Sequence, residues 1–166
     1  MLDTRELFFK EGMDLTFIEP DPERLFSLIS EGDKKETNII AGNLQEVDLS
    51  VFKKLKTNDI LFIDSTHISK TGSDVNFIIF EILPILEPGV LIHFHDVFYP
   101  FEYPKAWVYN GHNWNENYLL RAFLMYNKSF EIKFFANFLH AHAKEAFTSM
   151  PLYYKNTGGN LWLQKI

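Results

Sequence analysis

Two short runs in the chain pair imidazole with carboxylate: His93-Phe94-His95-Asp96, and Asp64-Ser65-Thr66-His67. A neutral imidazole beside a carboxylate can serve as a general base near neutral pH or ligate a divalent ion. Alternation along an extended strand puts His93 and His95 on one side and Phe94 on the other. His95 and Asp96 then lie nearest the strand's end, and His93, one pleat deeper, is expected to be a hydrogen-bonded core residue. Asp64 comes straight after the apolar run Ile60-Leu61-Phe62-Ile63. A carboxylate in that place is costly to desolvate without a partner, which favours a functional role over local backbone capping. His67 is either a second base or a plain loop histidine.

Two further groups sit at comparable places. Glu19 precedes Pro20-Asp21-Pro22 at the end of an apolar run. An acid there can accept both hydroxyls of a ribose, although Glu-Pro-Asp-Pro is also good turn chemistry. Asn43, Leu44 and Gln45 follow the next apolar run, where amides can read a base edge and Leu44 can pack on its face, or the segment is an ordinary loop. His140-Ala141-His142 and His112 read as unassigned surface histidines.

What positions these groups is an alternation of strands and helices. Residues 14–20, 37–43, 59–65 and 89–95 read as strands, separated by helical patterns at 22–30, 49–55 and 75–86, with an amphipathic helix at 2–11 closed by Gly12 in front. A long aromatic loop to about Trp114, a helix over 115–127, a strand at 130–138 and a final strand at 160–166 complete the pattern. Near-continuous apolar strands alternating with helices imply a mostly parallel sheet covered on both faces. Ligands of such sheets bind outside the carboxyl ends of the strands, and there Glu19, Asn43, Asp64 and the His95-Asp96 pair collect. The loop over residues 98–114 is aromatic enough to be a substrate wall or lid.

At 166 residues the chain fits one domain, read as 1–166. Its net charge of -6, with no basic stripe, argues against a nucleic-acid or anionic-membrane partner. There is no cysteine, so thiolate metal sites and cysteine nucleophiles are excluded, and a reducing cytoplasm is the expected location. No apolar run approaches the ~20 residues of a membrane helix. The expected partner is a small-molecule substrate, with a homo-oligomer as a further expectation.

The block "FIDSTHISKTGSDVNFIIFEILPILEPGVLIHFHDVFYPFEYP", from Phe62 to Pro104, resembles class I S-adenosylmethionine-dependent methyltransferases, and the likeness extends over most of the chain. The resemblance implies an α/β, three-layer Rossmann-like sheet, mostly parallel with an antiparallel strand at the C-terminus. By the same resemblance, Glu19 would hold the ribose of S-adenosylmethionine, and Asn43, Leu44 and Gln45 would border its adenine. Asp64 and Ser65 would lie at its methionine end, and His95, Asp96, His67 and Asp64 would face the acceptor. Some relatives that methylate sugar or catechol hydroxyls use a divalent ion at these strand ends, so Asp64 and Asp96 are expected as ligands if Mg²⁺ is used, with a histidine base needing no metal as the alternative. His95 is the first expected base for the acceptor hydroxyl and His67 the second.

One feature of such enzymes is missing: no Gly-rich loop of E/D-x-G-x-G type precedes Glu19. The chain is therefore expected to lack the first strand of the sheet and to bind cofactor weakly by itself. Two alternatives stand beside methyl transfer: a non-catalytic, truncated module acting in assembly or binding, and a metal-dependent hydrolase built on His95 and Asp96.

Overall fold

The computed structural model describes residues 1–9, 12–156 and 158–166. The chain divides into two compact units, Met1–Asp48 and Leu49–Ile166.

In the first unit, helix α1 (Leu2–Thr4) runs into a π-helical stretch, Arg5–Phe9. The last two residues of the expected 2–11 helix lie outside the described residues. Strand β1 (Thr16–Glu19) pairs in parallel with β2 (Asn38–Ala41), so Glu19 stands opposite Ala41 at the carboxyl end of both strands. The connection holds two helices, α2 (Glu23–Leu28) and α3 (Glu31–Lys35), where the apolar pattern suggested one. The break falls at Ser30, whose hydroxyl accepts from Asp33 N (3.1 Å) while the Asp33 carboxylate accepts from Ser30 N (3.0 Å). This reciprocal cap starts a new helix and ends the old one.

The second unit carries a four-stranded mixed sheet in the order β3-β4-β6-β5. Strands β3 (Ile60–Ile63) and β4 (Leu91–His95) are parallel, while β6 (Asn160–Lys165) runs antiparallel both to β4 and to β5 (Phe130–Phe135). The expected antiparallel C-terminal strand is thus present, inserted between β4 and β5. One face of the sheet carries the buried Ile63, Ile92, Phe94, Leu161 and Leu163. The helical segment from α4 (Asp74–Phe77) through a π-helical turn (Ile78–Ile82) to α5 (Leu83–Ile85) adds Val75, Ile78, Ile79, Ile82 and Leu83 to this core. Each such side chain contributes roughly 1.5–3 kcal/mol on burial.

Three helices follow β4 and β5: α6 (Lys105–Tyr109), α7 (Glu116–Leu124) and α8 (Ala136–Ala143), with α9 (Pro151–Lys155) before β6. α6 lies inside what the sequence suggested was an uninterrupted loop, and α8 takes over from β5 at Ala136, inside the expected 130–138 strand. Among the described residues no helix is long and apolar enough to cross a membrane.

The opposite face of the four-stranded sheet is aromatic. Phe62, His93 and Trp162 lie side by side across three strands, with His95 opposite Asn160 at the next level. The His93 ring sits 4.5 Å from Phe62 and 4.7 Å from Trp162, centroid to centroid. His93 is a core residue as expected, but among the described residues neither ring nitrogen has a hydrogen-bond partner. The expectation of a hydrogen-bonded histidine fails because its cross-strand neighbours on both sides are the aromatic rings of Phe62 and Trp162. Burial, reinforced by neighbouring His95 and only partly opposed by Asp64, pulls its pKa down to about 4.

Candidate functional site

The segment after β3 is held by side chains at nearly every residue. Thr66 N and Oγ1 both donate to Asp74 (2.8 and 2.6 Å). Ser69 N donates to Asn115 Oδ1 (2.6 Å), and Asn115 Nδ2 returns a bond to Ser69 O (3.2 Å). The first amides of α7 are satisfied from the same segment, since Asn115 N and Glu116 N donate to His67 O (3.0 and 3.1 Å). A short polar loop therefore becomes a rigid bracket between the end of β3 and the start of α7.

His67 sits at its centre, 4 % exposed, against Glu116, which is 1 % exposed. Nδ1 of His67 lies 2.8 Å from Glu116 Oε2, and Ser65 Oγ donates to Glu116 Oε1 (2.9 Å). The carboxylate accepts only, so Nδ1 carries the proton and Nε2 is left as the acceptor nitrogen. Nε2 points among carboxylates: Asp64 Oδ1 is 3.6 Å away and Asp96 Oδ2 is 3.9 Å away. Both separations are too long for a direct hydrogen bond, so among the described residues the basic nitrogen makes none.

Burial alone would lower the His67 pKa, but the Glu116 hydrogen bond and the charges of Glu116, Asp96 and Asp64 outweigh it, and the imidazole titrates above its ordinary value. The backbone adds a further sign of constraint. His67 (φ 59°) and Asp96 (φ 55°) both adopt the left-handed region. Each costs of order 1–3 kcal/mol outside glycine and persists only where the surroundings enforce it.

The sequence-predicted groups of the second unit thus meet in one place. Asp64 and Asp96 flank His67 Nε2, and His95 Nε2 lies 3.6 Å from Asp96 Oδ1, with its side chain 44 % exposed. Ser65 is also there, its hydroxyl committed to Glu116 and accepting from His67 N (3.0 Å). Glu116 was missed, because it lies 51 residues beyond Ser65 and opens a helix, where an acid is ordinarily explained by the helix dipole. A signal was available: Glu116 is one helical turn before the buried Leu120, on the stripe that faces the core.

The 98–114 segment packs as an aromatic cluster above this bracket. The Trp114 ring lies 4.2 Å from His67 and touches Tyr103, Trp107 and His112 edge-on. Buried Tyr103 accepts from Asn117 N (3.2 Å), and burial holds its hydroxyl protonated well above the usual tyrosine range.

In the first unit, Glu19 Oε1 accepts from Asp21 N (3.1 Å), so the turn chemistry read from the sequence is realised by half of the carboxylate. Asn43 donates to Glu46 Oε1 (3.2 Å) at the start of a 3₁₀ turn, Leu44–Glu46, which contains Gln45. His140 and His142 lie on α8, His140 bonded to Tyr154 O (3.0 Å) and His142 packed on Tyr99 and Phe138.

Among the described residues, no group of three or more His, Asp or Glu side chains is arranged to hold a metal ion. The expectation of Mg²⁺ at Asp64 and Asp96 gains no support, nor does the hydrolase built on His95 and Asp96.

A family model described as a methyltransferase domain matches residues 5–97, more than half of the chain. Searches of curated proteins and of solved structures gave no match.

Proposed function

The chain belongs to the methyltransferase-domain family, and on that premise we propose that it transfers a methyl group from S-adenosylmethionine to a hydroxyl of a small molecule or sugar, with His67 as the base. The observation that carries the proposal is the buried Glu116–His67 pair, 2.8 Å apart, with Nε2 unbonded between two aspartates. His67 is preferred to His95 because its tautomer is fixed by Glu116, whereas among the described residues the half-exposed His95 has no carboxylate nearer than Asp96, at 3.6 Å.

Each unit, taken by itself, offers groups of a chemistry that suits part of the cofactor. In the first unit, Glu19 keeps one carboxylate oxygen without a partner among the described residues, an acceptor suited to a ribose hydroxyl, and Asn43, Leu44 and Gln45 follow the neighbouring strand end. In the second, the largely exposed Asp64 carboxylate suits an ammonium group, with Ser65 beside it. When bound, S-adenosylmethionine supplies an electrophilic sulfonium methyl group.

The chain's own part is orientation and proton removal. An acceptor hydroxyl donates to His67 Nε2, and the proton moves to that nitrogen as the oxygen becomes nucleophilic. Glu116 holds Nδ1–H and stabilises the imidazolium that forms, as Asp64 and Asp96 do from the other side. Trp114 packs on the imidazole and limits water at the base.

Calorimetry with S-adenosylhomocysteine tests the cofactor half: binding lost in Glu19→Ala supports it, and no binding at millimolar ligand refutes methyl transfer by this chain. Transfer of labelled methyl that survives His67→Gln undiminished would refute His67 as base.

A further inference from the structure

Helix α1 and the π-helical stretch that continues it are turned the wrong way round for a helix on a small unit. Arg5, 9 % exposed, is the side chain directed at the rest of that unit: Nη1 donates to Glu36 O (2.9 Å) and Nη2 lies 3.4 Å from Glu36 Oε2. Leu7 and Phe8 are 70 % and 76 % exposed, and Phe9 is exposed as well. Leu7 follows Arg5 by two residues, about half a turn, so the cation and the leucine occupy opposite sides. An amphipathic helix ordinarily buries the apolar side and exposes the charged one. We propose that the outward face at Leu7, Phe8 and Phe9 is a docking surface for a cationic amphipathic helix of a partner protein. The proposal is independent of the methyl-transfer reading.

The first argument is energetic. Leucine and phenylalanine left in water forgo more than one partly exposed ion pair returns. The orientation therefore favours a state in which this face is covered. Apolar patches rimmed by polar groups on otherwise ordinary surfaces mark interaction sites.

Charge selects the occupant. Residues 1–48 hold 12 of the chain's 22 acidic residues but 5 of its 16 basic ones, a net -7 against +1 for residues 49–166. Asp3, one turn before Leu7 on the same side, and Glu6, its neighbour in sequence, are both exposed. Apolar anchors in an acidic setting match a partner that is apolar at its centre and basic at its edges, as a helix of leucine and lysine is. A neutral partner would cover the carboxylates without supplying a countercharge. A two-fold contact with a second copy would set two such acidic units against each other. An anionic lipid surface is repelled by the same charge.

The experiment titrates the full ¹⁵N-labelled chain with a synthetic helix of leucine and lysine, its leucines on one face, and with the leucine–glutamate counterpart. The lysine helix is expected to shift the amides of Leu7, Phe8 and Phe9. Its affinity is expected to fall by about tenfold or more in Leu7→Ser/Phe8→Ser, which removes the anchors. A fall of about tenfold is expected in Asp3→Asn/Glu6→Gln, which keeps the anchors and removes the charge, and added salt should weaken the parent more than this variant. The second variant carries the test should the first disturb the spectrum of the remaining residues. The inference is overturned if the glutamate helix binds as tightly as the lysine helix, if the shifts fall elsewhere, or if the variants bind as the parent does. Preferential binding to phosphatidylserine vesicles overturns it in favour of a membrane. Self-association abolished by Leu7→Ser/Phe8→Ser overturns it in favour of a second copy.

Discussion

His67 and His93 make a controlled comparison inside one unit of the molecule. Both are buried, at 4 % and 9 % exposure, and both follow or lie within adjacent strands of the same sheet. His67 has Glu116 on one nitrogen and two aspartates near the other, and its pKa rises. His93 has aromatic rings on both sides, no hydrogen bond among the described residues, and a pKa pulled down to about 4. Burial pushes both in the same direction, so the difference lies in where carboxylates stand. One imidazole is equipped to take a proton in the folded protein, and the other is equipped to refuse it.

The comparison breaks most completely if His67 is dispensable. His67→Gln keeps bulk and polarity but removes the base, and single-turnover methyl transfer is expected to fall by about 10²–10⁴-fold with S-adenosylhomocysteine affinity unaltered. Glu116→Gln should act next most strongly, lowering transfer by about 10–100-fold, because the imidazolium loses its charged partner. The sharper readout is pH. His67 loses the largest contribution raising its pKa, so its NMR titration midpoint and the acid limb of kcat/KM both move to lower pH. Glu116→Asp is expected to restore part of that shift, which a purely structural role for Glu116 would not produce.

The two histidines also predict opposite stability profiles. His93 has a folded pKa below its unfolded value, so the unfolded chain binds more protons between pH 6.5 and 4, and stability is lost as pH falls through that window. A shift of this size is worth on the order of 3 kcal/mol at most. His93→Phe, which suits the Phe62–Trp162 surroundings, is expected to flatten the acid side of a urea-denaturation series at little cost near pH 7. His67 contributes with the reverse sign: its stabilisation is full below its unfolded pKa and is lost as pH rises through the raised folded value. An acid profile unchanged by His93→Phe would mean that His93 is not the group responsible. The smallest effect is expected from Ser65→Ala, which removes one neutral donor from Glu116 and should cost about 1 kcal/mol in the same denaturation measurement.

The sequence carried the parts of the fold that depend on local pattern. Apolar runs marked each strand of the described residues, and a polar residue at or just past the end of β1, β2, β3 and β4 was read as a candidate ligand group. It carried less of what depends on contacts between distant residues. The Ser30–Asp33 cap was readable as a Ser-x-x-Asp signature, yet the apolar pattern running across it suggested a single helix. Asp64, Ser65, His67, His95 and Asp96 were legible as a set because two neighbouring strands end with them. Glu116 was not, since its role depends on the fold bringing the start of α7 under the loop after β3. The order of His95 and His67 as bases could not be read either, because tautomer control comes from that same contact.

The left-handed backbone at His67 has a consequence for descent as well as for chemistry. At φ 59° the position tolerates Gly, Asn and Asp with least strain, and β-branched residues scarcely at all. Replacement of His67 by Asn would therefore suit the backbone, yet it would leave the buried Glu116 carboxylate without its imidazole partner and weaken the fold while removing the proposed base. Natural variants with Asn at 67 are therefore expected to carry a neutral residue at 116 as well, and a survey of the two positions together checks the pairing.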